Sequence, residues 1–183
     1  DVILVFGEMR SQVECISFLT KVSHGNWLQP YGVLLWAADN RLGARFLCGD
    51  SRFCSEGSCY TRQEWLDIFH AAELTIPRFY YVMPGWHFPR NIYTDDHLPV
   101  EQSLSRMEVC YVRPSNVIRN EADFLRESIF NDMFPAVANA FLIEWHPIDG
   151  TKRCAVYVDT TADKGIHASA LVCYADGQVC KRP

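Results

Sequence analysis

The sequence predicts an α+β protein, in which two or three helices pack on a mainly antiparallel β-sheet that disulfides stabilise. Several short segments are rich in β-forming residues, and longer ones place hydrophobic residues at helical spacing. Eight cysteines occur among 183 residues, an even number and a high density. Because 49% of the residues are hydrophobic, the chain can bury a core without relying on disulfides alone. We expect a single domain over residues 1–183, with residues 1–47 as a candidate N-terminal subdomain.

The N-terminal part predicts a strand, a helix and two further strands. The first strand is "DVILVF" at residues 1–6. The next segment, "EMRSQVECISFL", predicts a helix with Cys15 beside a hydrophobic stripe formed by Met9, Val13, Ile16 and Leu19. We expect two short strands in "YGVLLWAAD" and "ARFLC", because the turn-forming residues "DNRLG" separate them.

A capped helix follows a cysteine-rich segment. Thr61 and Glu64 form a capping box, in which the Thr hydroxyl and the Glu carboxylate each accept a hydrogen bond from a free amide at the helix start. Behind the cap, one apolar stripe recurs at positions i, i+3, i+4 and i+7. Its members are Trp65, Ile68, Phe69 and Ala72.

The middle of the chain alternates strands with a long loop and a third helix. "RFYYVM" predicts a strand, and the aromatic and Pro/Gly-rich "PGWHFPRNIYTDDHLP" predicts a surface loop of the kind that often carries function. "MEVCYVR" predicts a further strand. Asn120 can cap a helix that ends at Pro135, with a stripe of Leu125, Ile129 and Met133.

The tail from residue 140 is rich in β-formers and is interrupted by Asp149-Gly150 and Asp176-Gly177. These dipeptides favour tight hairpins, since both central residues of the turn need positive φ. A two-residue loop at Asp176-Gly177 would place Cys173 directly opposite Cys180, at a separation that permits a disulfide. Linking so short a hairpin gains little loop-closure entropy, so we expect at least one of these cysteines to reach across the fold instead.

The cysteine spacing favours disulfides over a metal site. A structural zinc site needs close pairs such as Cys-x2-Cys, whereas Cys48, Cys54 and Cys59 are separated by five and four residues. Disulfides persist in oxidising compartments, so we expect a secreted protein. Residues 1–6 are too short for a signal peptide, and we expect processing upstream of them. The cysteines expected to pair are Cys15, Cys48, Cys54, Cys59, Cys110, Cys154, Cys173 and Cys180.

The charge distribution limits the function classes. The net charge is −5 and the charged residues are mixed along the chain, so no basic stripe can hold a nucleic-acid backbone by charge alone. No apolar run approaches 18 residues, which excludes a predicted membrane span. No cofactor is predicted.

One set of residues in the tail has the composition of a ribonuclease site: Glu144, Arg153 and His167. On neighbouring strands, the carboxylate can take the proton of a 2′-hydroxyl, the guanidinium can hold the phosphate, and the imidazole can protonate the leaving oxygen. The alternative interpretation is that all three side chains face solvent on alternating strands.

Two further combinations are weaker candidates. Asp95-Asp96-His97 offers oxygen and nitrogen ligands for a divalent ion, but such a run more often forms a polar turn, and we expect no metal site. A Cys-His hydrolase would need one free thiolate near His70, His146 or His167. The even cysteine count argues against that thiolate.

Aromatic residues are dense around the predicted loop, at Phe79, Tyr80, Tyr81, Trp86, Phe88 and Tyr93. They can stack on a base or a sugar or anchor a protein partner, and the alternative is core packing beneath the loop. We predict a binding surface formed by Trp86, Phe88, Arg90 and Tyr93.

Several motifs resemble the fungal guanyl-specific ribonucleases. "CGDSRFCSEGSCYT" is similar to the start of that family, where a cysteine-bearing hairpin ending in Cys-Tyr-Ser runs into the main helix. In the tail, "IEWHPI" looks like its Tyr-Glu-Trp-Pro-Ile strand, "KRCAVYV" like its Asp-Arg-Val-Val-Phe strand, and "GIHASA" like its Val-Ile-Thr-His-Thr-Gly-Ala segment. The resemblance covers residues 48–183.

The resemblance implies roles and disulfide pairs. Glu144 would be the base, Arg153 the phosphate clamp and His167 the acid. Cys54 would pair with Cys180, and Cys48 with Cys59. The family's Tyr-Pro-His strand has no full counterpart, because the candidate segments at residues 88–90 and 134–136 lack its His and its Tyr hydroxyl. The resemblance therefore implies an inactive relative, as among fungal effectors with a ribonuclease scaffold.

The sequence thus predicts a secreted, disulfide-rich protein of the effector or toxin type. It binds a host or target protein through "PGWHFPRNIYTDDHLP" and has no catalytic activity. The competing prediction is an RNA-cleaving enzyme that uses Glu144, Arg153 and His167.

Overall fold

The computed structural model describes residues 2–7, 9, 11–25, 27–50, 59–106, 117–148, 153–159, 169–174 and 179–182. The description of residues 104–106 and of the last three ranges concerns the backbone.

An eight-stranded mixed sheet forms the centre of the fold. Its spatial order is β1-β2-β5-β3-β4-β6-β7-β8. The β1–β2 pair is parallel and the other pairs are antiparallel, which confirms the predicted mainly antiparallel sheet. The strands are β1 Val2–Phe6, β2 Val33–Asp39, β3 Arg78–Met83, β4 Asn91–Thr94, β5 Ala140–Trp145, β6 Arg153–Asp159, β7 Ser169–Tyr174 and β8 Val179–Arg182.

Helices pack on one face of this sheet, and together the two layers confirm the α+β class. The core combines Trp36 and Phe141 of the sheet with Trp65 and Phe69 of a helix, and the Trp36 and Trp65 rings lie 4.9 Å apart. Strands β1 and β2, from residues 1–47, belong to the same sheet as the later strands. The helices are α1 Gln12–His24, α2 Ala44–Leu47, α3 Arg62–Ala71, α4 Glu121–Phe130 and α5 Phe134–Val137, with a 3-10 helix at Glu101–Arg106.

Helix α1 starts later than the sequence predicts and buries a different stripe. The Ser11 side chain accepts a hydrogen bond from the Glu14 amide at 3.2 Å, so the helix begins at Gln12. Val13, expected in the core, is 74% exposed. Because the cap sets the start and the sheet sets the rotation, the buried residues are Cys15, Leu19 and Val22.

Helix α3 confirms the capping box. The Glu64 amide donates to the Thr61 hydroxyl at 3.2 Å, and the Thr61 amide donates to the Glu64 carboxylate at 2.8 Å. All four members of the predicted stripe are buried: Trp65, Ile68, Phe69 and Ala72. Local capping and the apolar period agree here, so the sequence alone predicts the element.

The segment "ARFLC" forms helix α2, so its assignment as a strand is wrong. The Asn40 side chain accepts a hydrogen bond from the Leu42 amide at 3.0 Å, and the Asn40 carbonyl accepts one from Gly43 at 2.8 Å. The chain therefore keeps turning after Asp39. Asn139 then accepts a hydrogen bond from the Arg45 amide at 2.9 Å, a partner 94 residues away that local sequence does not show.

The predicted surface loop contains strand β4, which lies inside the sheet between β3 and β6. Tyr93 is 2% exposed and packs edge-on against Phe134, with ring centroids 5.5 Å apart. The prediction that Tyr93 belongs to a binding surface is therefore wrong, because β3 and β6 draw its strand into the sheet.

Helix α4 has the predicted cap, because the Asn120 side chain accepts hydrogen bonds from the Ala122 and Asp123 amides at 2.9 and 3.3 Å. The helix ends at Phe130, earlier than the expected end at Pro135. Pro135 instead lies in the first turn of α5, where a missing amide costs nothing.

The tail strands are paired differently from the prediction. Strands β5 and β6 are not neighbours, so Asp149-Gly150 does not join an adjacent hairpin; the dipeptide itself lies outside the described residues. Strands β7 and β8 do pair, but the register places Cys173 opposite Val179 and Cys180 opposite Val172. The Cys173–Cys180 alignment that a two-residue loop would give is therefore wrong by one residue. Asp176-Gly177 itself lies outside the described residues. The "MEVCYVR" strand falls outside the described residues.

Two cysteines expected in disulfides are free thiols. Cys15 and Cys48 are both buried and unpaired, so the Cys48–Cys59 pair implied by the resemblance is not formed. Burial raises the pKa of the Cys15 thiol to about 11, although Tyr60 hydrogen-bonds it. Cys59 is disulfide-bonded. Disulfide stabilisation of the whole fold remains a prediction.

In the described part of the chain, no helix has the length and apolar character needed to cross a membrane.

Candidate functional site

The aromatic loop between β3 and β4 spans residues 84–90. Trp86 is half-buried and stacks on His87 at a centroid distance of 3.6 Å. Phe88 is 69% exposed, while the Arg90 amide closes the loop by donating to the Met83 carbonyl at 2.9 Å. Of the predicted binding residues, these three lie on or near the surface.

Strand β1 continues this aromatic surface along the edge of the sheet. Val2, Leu4 and Phe6 are 60%, 56% and 66% exposed, whereas Ile3 and Val5 pack against the core. Phe6 stacks on Trp86 of the loop, with ring centroids 6.1 Å apart and an interplanar angle of 30°. We call Val2, Leu4, Phe6 and Trp86 the apolar edge surface. The strand residues of this surface are not among the predicted binding residues, although an all-apolar "VILVF" places hydrophobic side chains on both faces of a strand.

A polar cavity of about 240 Å³, here called the Glu144 pocket, opens where β3 begins and β4 and β5 end. The pairing register places Leu4, Leu35, Glu144 and Arg78 in one row across β1, β2, β5 and β3. Directly paired residues project to the same face of a sheet, so the pocket and the apolar edge surface share a face. The pocket is lined by Thr75, Ile76, Pro77, Arg78, Thr94, Asp95, Asp96, Glu144, Trp145 and His146.

Glu144 is the buried carboxylate of this pocket. One of its oxygens accepts a hydrogen bond from the Tyr80 hydroxyl at 2.8 Å, and the other lies 2.8 Å from His146 Nε2. His146 Nδ1 lies 3.1 Å from the Gly32 carbonyl oxygen, which can only accept, so Nδ1 carries a proton. Both ring nitrogens are thus engaged by the protein. The sequence holds a signal for this pair, because residues two apart in a strand lie on one side of it.

Arg78 lies directly opposite Glu144 on the neighbouring strand, yet the side chain of Arg78 has no hydrogen-bond or ion-pair partner among the described residues. Asp96, on the other wall of the pocket, is exposed and likewise has no such partner within the described ranges. The pocket therefore presents one cation and one anion that the described protein does not pair.

Asp95 is already engaged by the protein. It accepts a hydrogen bond from the Tyr81 hydroxyl and lies 3.5 Å from the Arg62 guanidinium. Burial and the Asp95 carboxylate raise the pKa of Tyr81. In the described part of the chain, no group of three or more His, Cys, Asp or Glu side chains is arranged to hold a metal ion.

The predicted catalytic residues lie on separate strands. Glu144 is on β5 and Arg153 is on β6, with β3 and β4 between them. Three strand spacings separate their backbones by about 14 Å. The expectation that they occupy neighbouring strands is wrong, because the connection after β5 crosses two strands. His167 lies outside the described residues. The fold instead places Arg78, His146 and Tyr80 beside Glu144.

A second arginine lies in a buried polar cluster formed by Asp39, Arg45, Glu121 and Asn139. The Arg45 guanidinium lies 2.6 Å from an Asp39 oxygen. The Asn139 amide donates to Glu121 at 2.8 Å and to the Pro84 carbonyl at 2.9 Å, which anchors the base of the aromatic loop. Burial raises the pKa of Glu121, and one of its oxygens has no hydrogen-bond partner in the described structure. This cluster positions the loop from below.

No protein-family model, curated protein or solved structure matches the chain.

Proposed function

We propose that the protein acts by binding a partner protein along its apolar edge surface, without catalysis, as a secreted protein of the effector or toxin type. The observation that carries this proposal is the exposed row Val2, Leu4 and Phe6 with Trp86 stacked at its end. The centres of protein interfaces are more apolar than the rest of the surface and are enriched in aromatic residues such as Phe6 and Trp86.

The partner we propose is an extended segment that adds a strand next to β1. This strand is the edge of the sheet, and in the described structure it pairs only with β2. Soluble proteins commonly protect an edge strand with charged residues or proline, and "VILVF" contains neither. Main-chain hydrogen bonds would supply affinity, and alternate apolar side chains of the segment would pack on Leu4 and Phe6.

The state of the Glu144 pocket supports a function without catalysis. A general base needs an atom free to take a proton from the substrate. His146 Nδ1 lies 3.1 Å from the Gly32 carbonyl oxygen and Nε2 lies 2.8 Å from one Glu144 oxygen, while the other Glu144 oxygen accepts from the Tyr80 hydroxyl. A substrate that gives its proton to His146 would first have to displace one of the contacts of that ring.

The test uses a photo-crosslinking residue at position 4 or, as control, at position 13. Both positions are exposed and apolar, but Val13 lies on helix α1 and not on the edge strand. We expect one protein from target-cell extract to be captured from position 4 only. The purified partner should then protect the backbone amides of residues 2–6 from hydrogen exchange, and Leu4→Lys should weaken its binding at least ten-fold. Equal capture at both positions would exclude this surface. So would partner binding that is unchanged in Leu4→Lys but weakened in Val13→Lys.

The competing RNA-cleaving function has one specific observation in its favour, which is that Arg78 and His146 lie beside Glu144 in an open pocket. Purified protein would be assayed with a guanosine-containing dinucleotide and with total RNA. Cleavage that Glu144→Gln abolishes would establish this function, and His167→Ala would show whether the predicted acid contributes. No cleavage by the wild-type protein would exclude it.

Secretion is proposed from the cysteine content. If the remaining six cysteines are paired, alkylation in denaturant without reductant should modify two residues, Cys15 and Cys48. Mass spectrometry of the modified peptides reads this directly, and modification of more than two cysteines would contradict disulfide stabilisation as proposed.

A further inference from the structure

The unpaired charges of the Glu144 pocket carry an inference separate from partner binding. Arg78 and Asp96 both line the cavity, and they are not within 4.0 Å of each other as an ion pair. The pairing of Tyr80 with Thr94 in β3 and β4 brings the two residues to the same end of this hairpin. A guanidinium binds carboxylates and phosphates, and a carboxylate binds ammonium groups.

The mixture of charges restricts the ligand. Asp95, Asp96 and Glu144 would repel a simple anion, whereas Arg78 would repel a simple cation. A molecule that carries both signs at separate atoms can satisfy Arg78 and Asp96 together. Each charged group would form a charge-assisted hydrogen bond, which is stronger than a neutral one.

The size and walls of the cavity restrict the ligand further. Its volume of about 240 Å³ is smaller than the pockets of about 300–1,000 Å³ that hold drug-sized molecules. Ile76, Pro77 and Trp145 supply apolar wall between the charged residues. Among the other polar wall residues, Thr75 already accepts a hydrogen bond from Trp145 Nε1 at 3.0 Å.

From this arrangement we infer that the Glu144 pocket binds a small zwitterion with an apolar side chain, such as a free α-amino acid or a dipeptide. Its carboxylate lies on Arg78, its ammonium group on Asp96, and its side chain against Ile76 and Pro77. A free α-amino acid and a dipeptide both carry a carboxylate and an ammonium group, but the two compounds differ in the separation of these charges.

The test is isothermal titration of the purified full chain with leucine, leucinamide, N-acetyl-leucine and Leu-Leu. Leucinamide lacks the carboxylate, and N-acetyl-leucine lacks the ammonium group. We expect leucine or Leu-Leu to bind at least ten-fold more tightly than either blocked compound, because each blocked compound loses one charge-assisted hydrogen bond. Tighter binding of leucine identifies a free amino acid as the ligand class, and tighter binding of Leu-Leu identifies a peptide.

Two substitutions, each measured with the zwitterion and with one blocked compound, show which residue contacts the carboxylate and which contacts the ammonium group. Arg78→Gln should weaken the zwitterion at least ten-fold but leave leucinamide unchanged, while Asp96→Asn should weaken the zwitterion but leave N-acetyl-leucine unchanged. Arg126→Gln and Asp67→Asn make the same chemical changes at exposed helix positions and should leave binding unchanged. Thermal unfolding of each variant checks that it is folded.

The inference is overturned if neither zwitterion binds at millimolar concentration, or if the blocked compounds bind as tightly as leucine. It is also overturned if Arg78→Gln and Asp96→Asn bind the zwitterion as the wild-type protein does. Partner capture from position 4 is a separate measurement, so this inference and the proposed protein binding can fail independently.

Discussion

The buried polar cluster and the Glu144 pocket each place an arginine beside carboxylates, but at different depths. Arg45 is almost inaccessible, lies 2.6 Å from Asp39 and packs over the Phe46 ring at 4.5 Å. Arg78 is half-buried in an open cavity and has no polar partner in the described structure. The two sites have similar composition and opposite exposure.

Burial determines whether a charged side chain serves stability or can bind a ligand. A buried charge loses its hydration, so the fold must supply its partners, and those partners are then unavailable to a ligand. A charge at the wall of an open cavity keeps its hydration until a ligand replaces it. We therefore expect substitutions in the buried polar cluster to change stability, and substitutions in the pocket to change binding.

The largest expected effect is that of Arg45→Ala. Removing the guanidinium leaves the Asp39 carboxylate buried without its partner, which we expect to lower the free energy of unfolding by about 3–5 kcal/mol. Chemical denaturation measures this loss of stability. Arg126→Ala, which breaks an exposed pair with Asp123, is the control and should cost about 0–1 kcal/mol. Equal losses in the two variants would remove the distinction between buried and exposed arginines.

A smaller loss is expected for Glu144→Gln. Glu144 is the buried member of the pocket, and its oxygens accept from Tyr80 and pair with His146. Loss of the charged acceptor should lower the free energy of unfolding by about 1–3 kcal/mol. Glu101→Gln, at an exposed position, should stay within about 0.5 kcal/mol of the wild type. No loss in Glu144→Gln would show that the His146 pair is not structural.

Glu121 should make stability depend on pH. Burial raises the pKa of its carboxyl above the ordinary 4.5, although Asn139 and Arg45 oppose the shift and Asp50 adds to it. Such a group stabilises the fold fully below its unfolded pKa, and this contribution is lost as pH rises through the folded pKa.

We therefore expect Glu121→Gln to lose less stability than the wild type as pH rises above about 4.5, measured by denaturant titration at several pH values. Glu127→Gln, on the exposed side of the same helix, should follow the wild-type pH dependence. Parallel curves for Glu121→Gln and the wild type would contradict this account.

The smallest effect on stability is expected for Arg78→Gln. Since Arg78 has no ion-pair or hydrogen-bond partner among the described residues, its loss should change the free energy of unfolding by no more than about 0.5 kcal/mol. Comparison with Arg45→Ala by the same denaturation experiment separates the two sites directly. A loss of several kcal/mol would show that Arg78 has a structural role.

Prediction from the sequence succeeds where local signals agree. In α3, the Thr61–Glu64 capping box and the stripe that begins at Trp65 specify start, end and buried face together. Prediction fails where contacts with residues far along the chain determine the local structure. Asn139 accepts from the Arg45 amide and so supports α2 in a segment that reads as a strand. Tyr93 carries the aromatic signal of a surface loop but lies in a strand that β3 and β6 enclose.

The candidate sites show the same division. Phe88 and Trp86 are found from the sequence, since an aromatic loop rich in Pro and Gly has a local signature. Arg78 could not be found, because its place opposite Glu144, 66 residues later in the chain (144 − 78), depends on β3 pairing with β5. Pairing register is a long-range property that short motifs do not encode.

By itself, the sequence determined the α+β class, the capped helices and the hydrophobic segments that become strands, because caps and apolar periods act within a few residues. Three features depend on tertiary packing instead: β3 and β4 lie between β5 and β6, Cys15 and Cys48 are thiols, and Arg78 and His146 lie beside Glu144. The physical reason is that strand order and side-chain burial are settled by packing the whole sheet against its helices, which no local segment specifies.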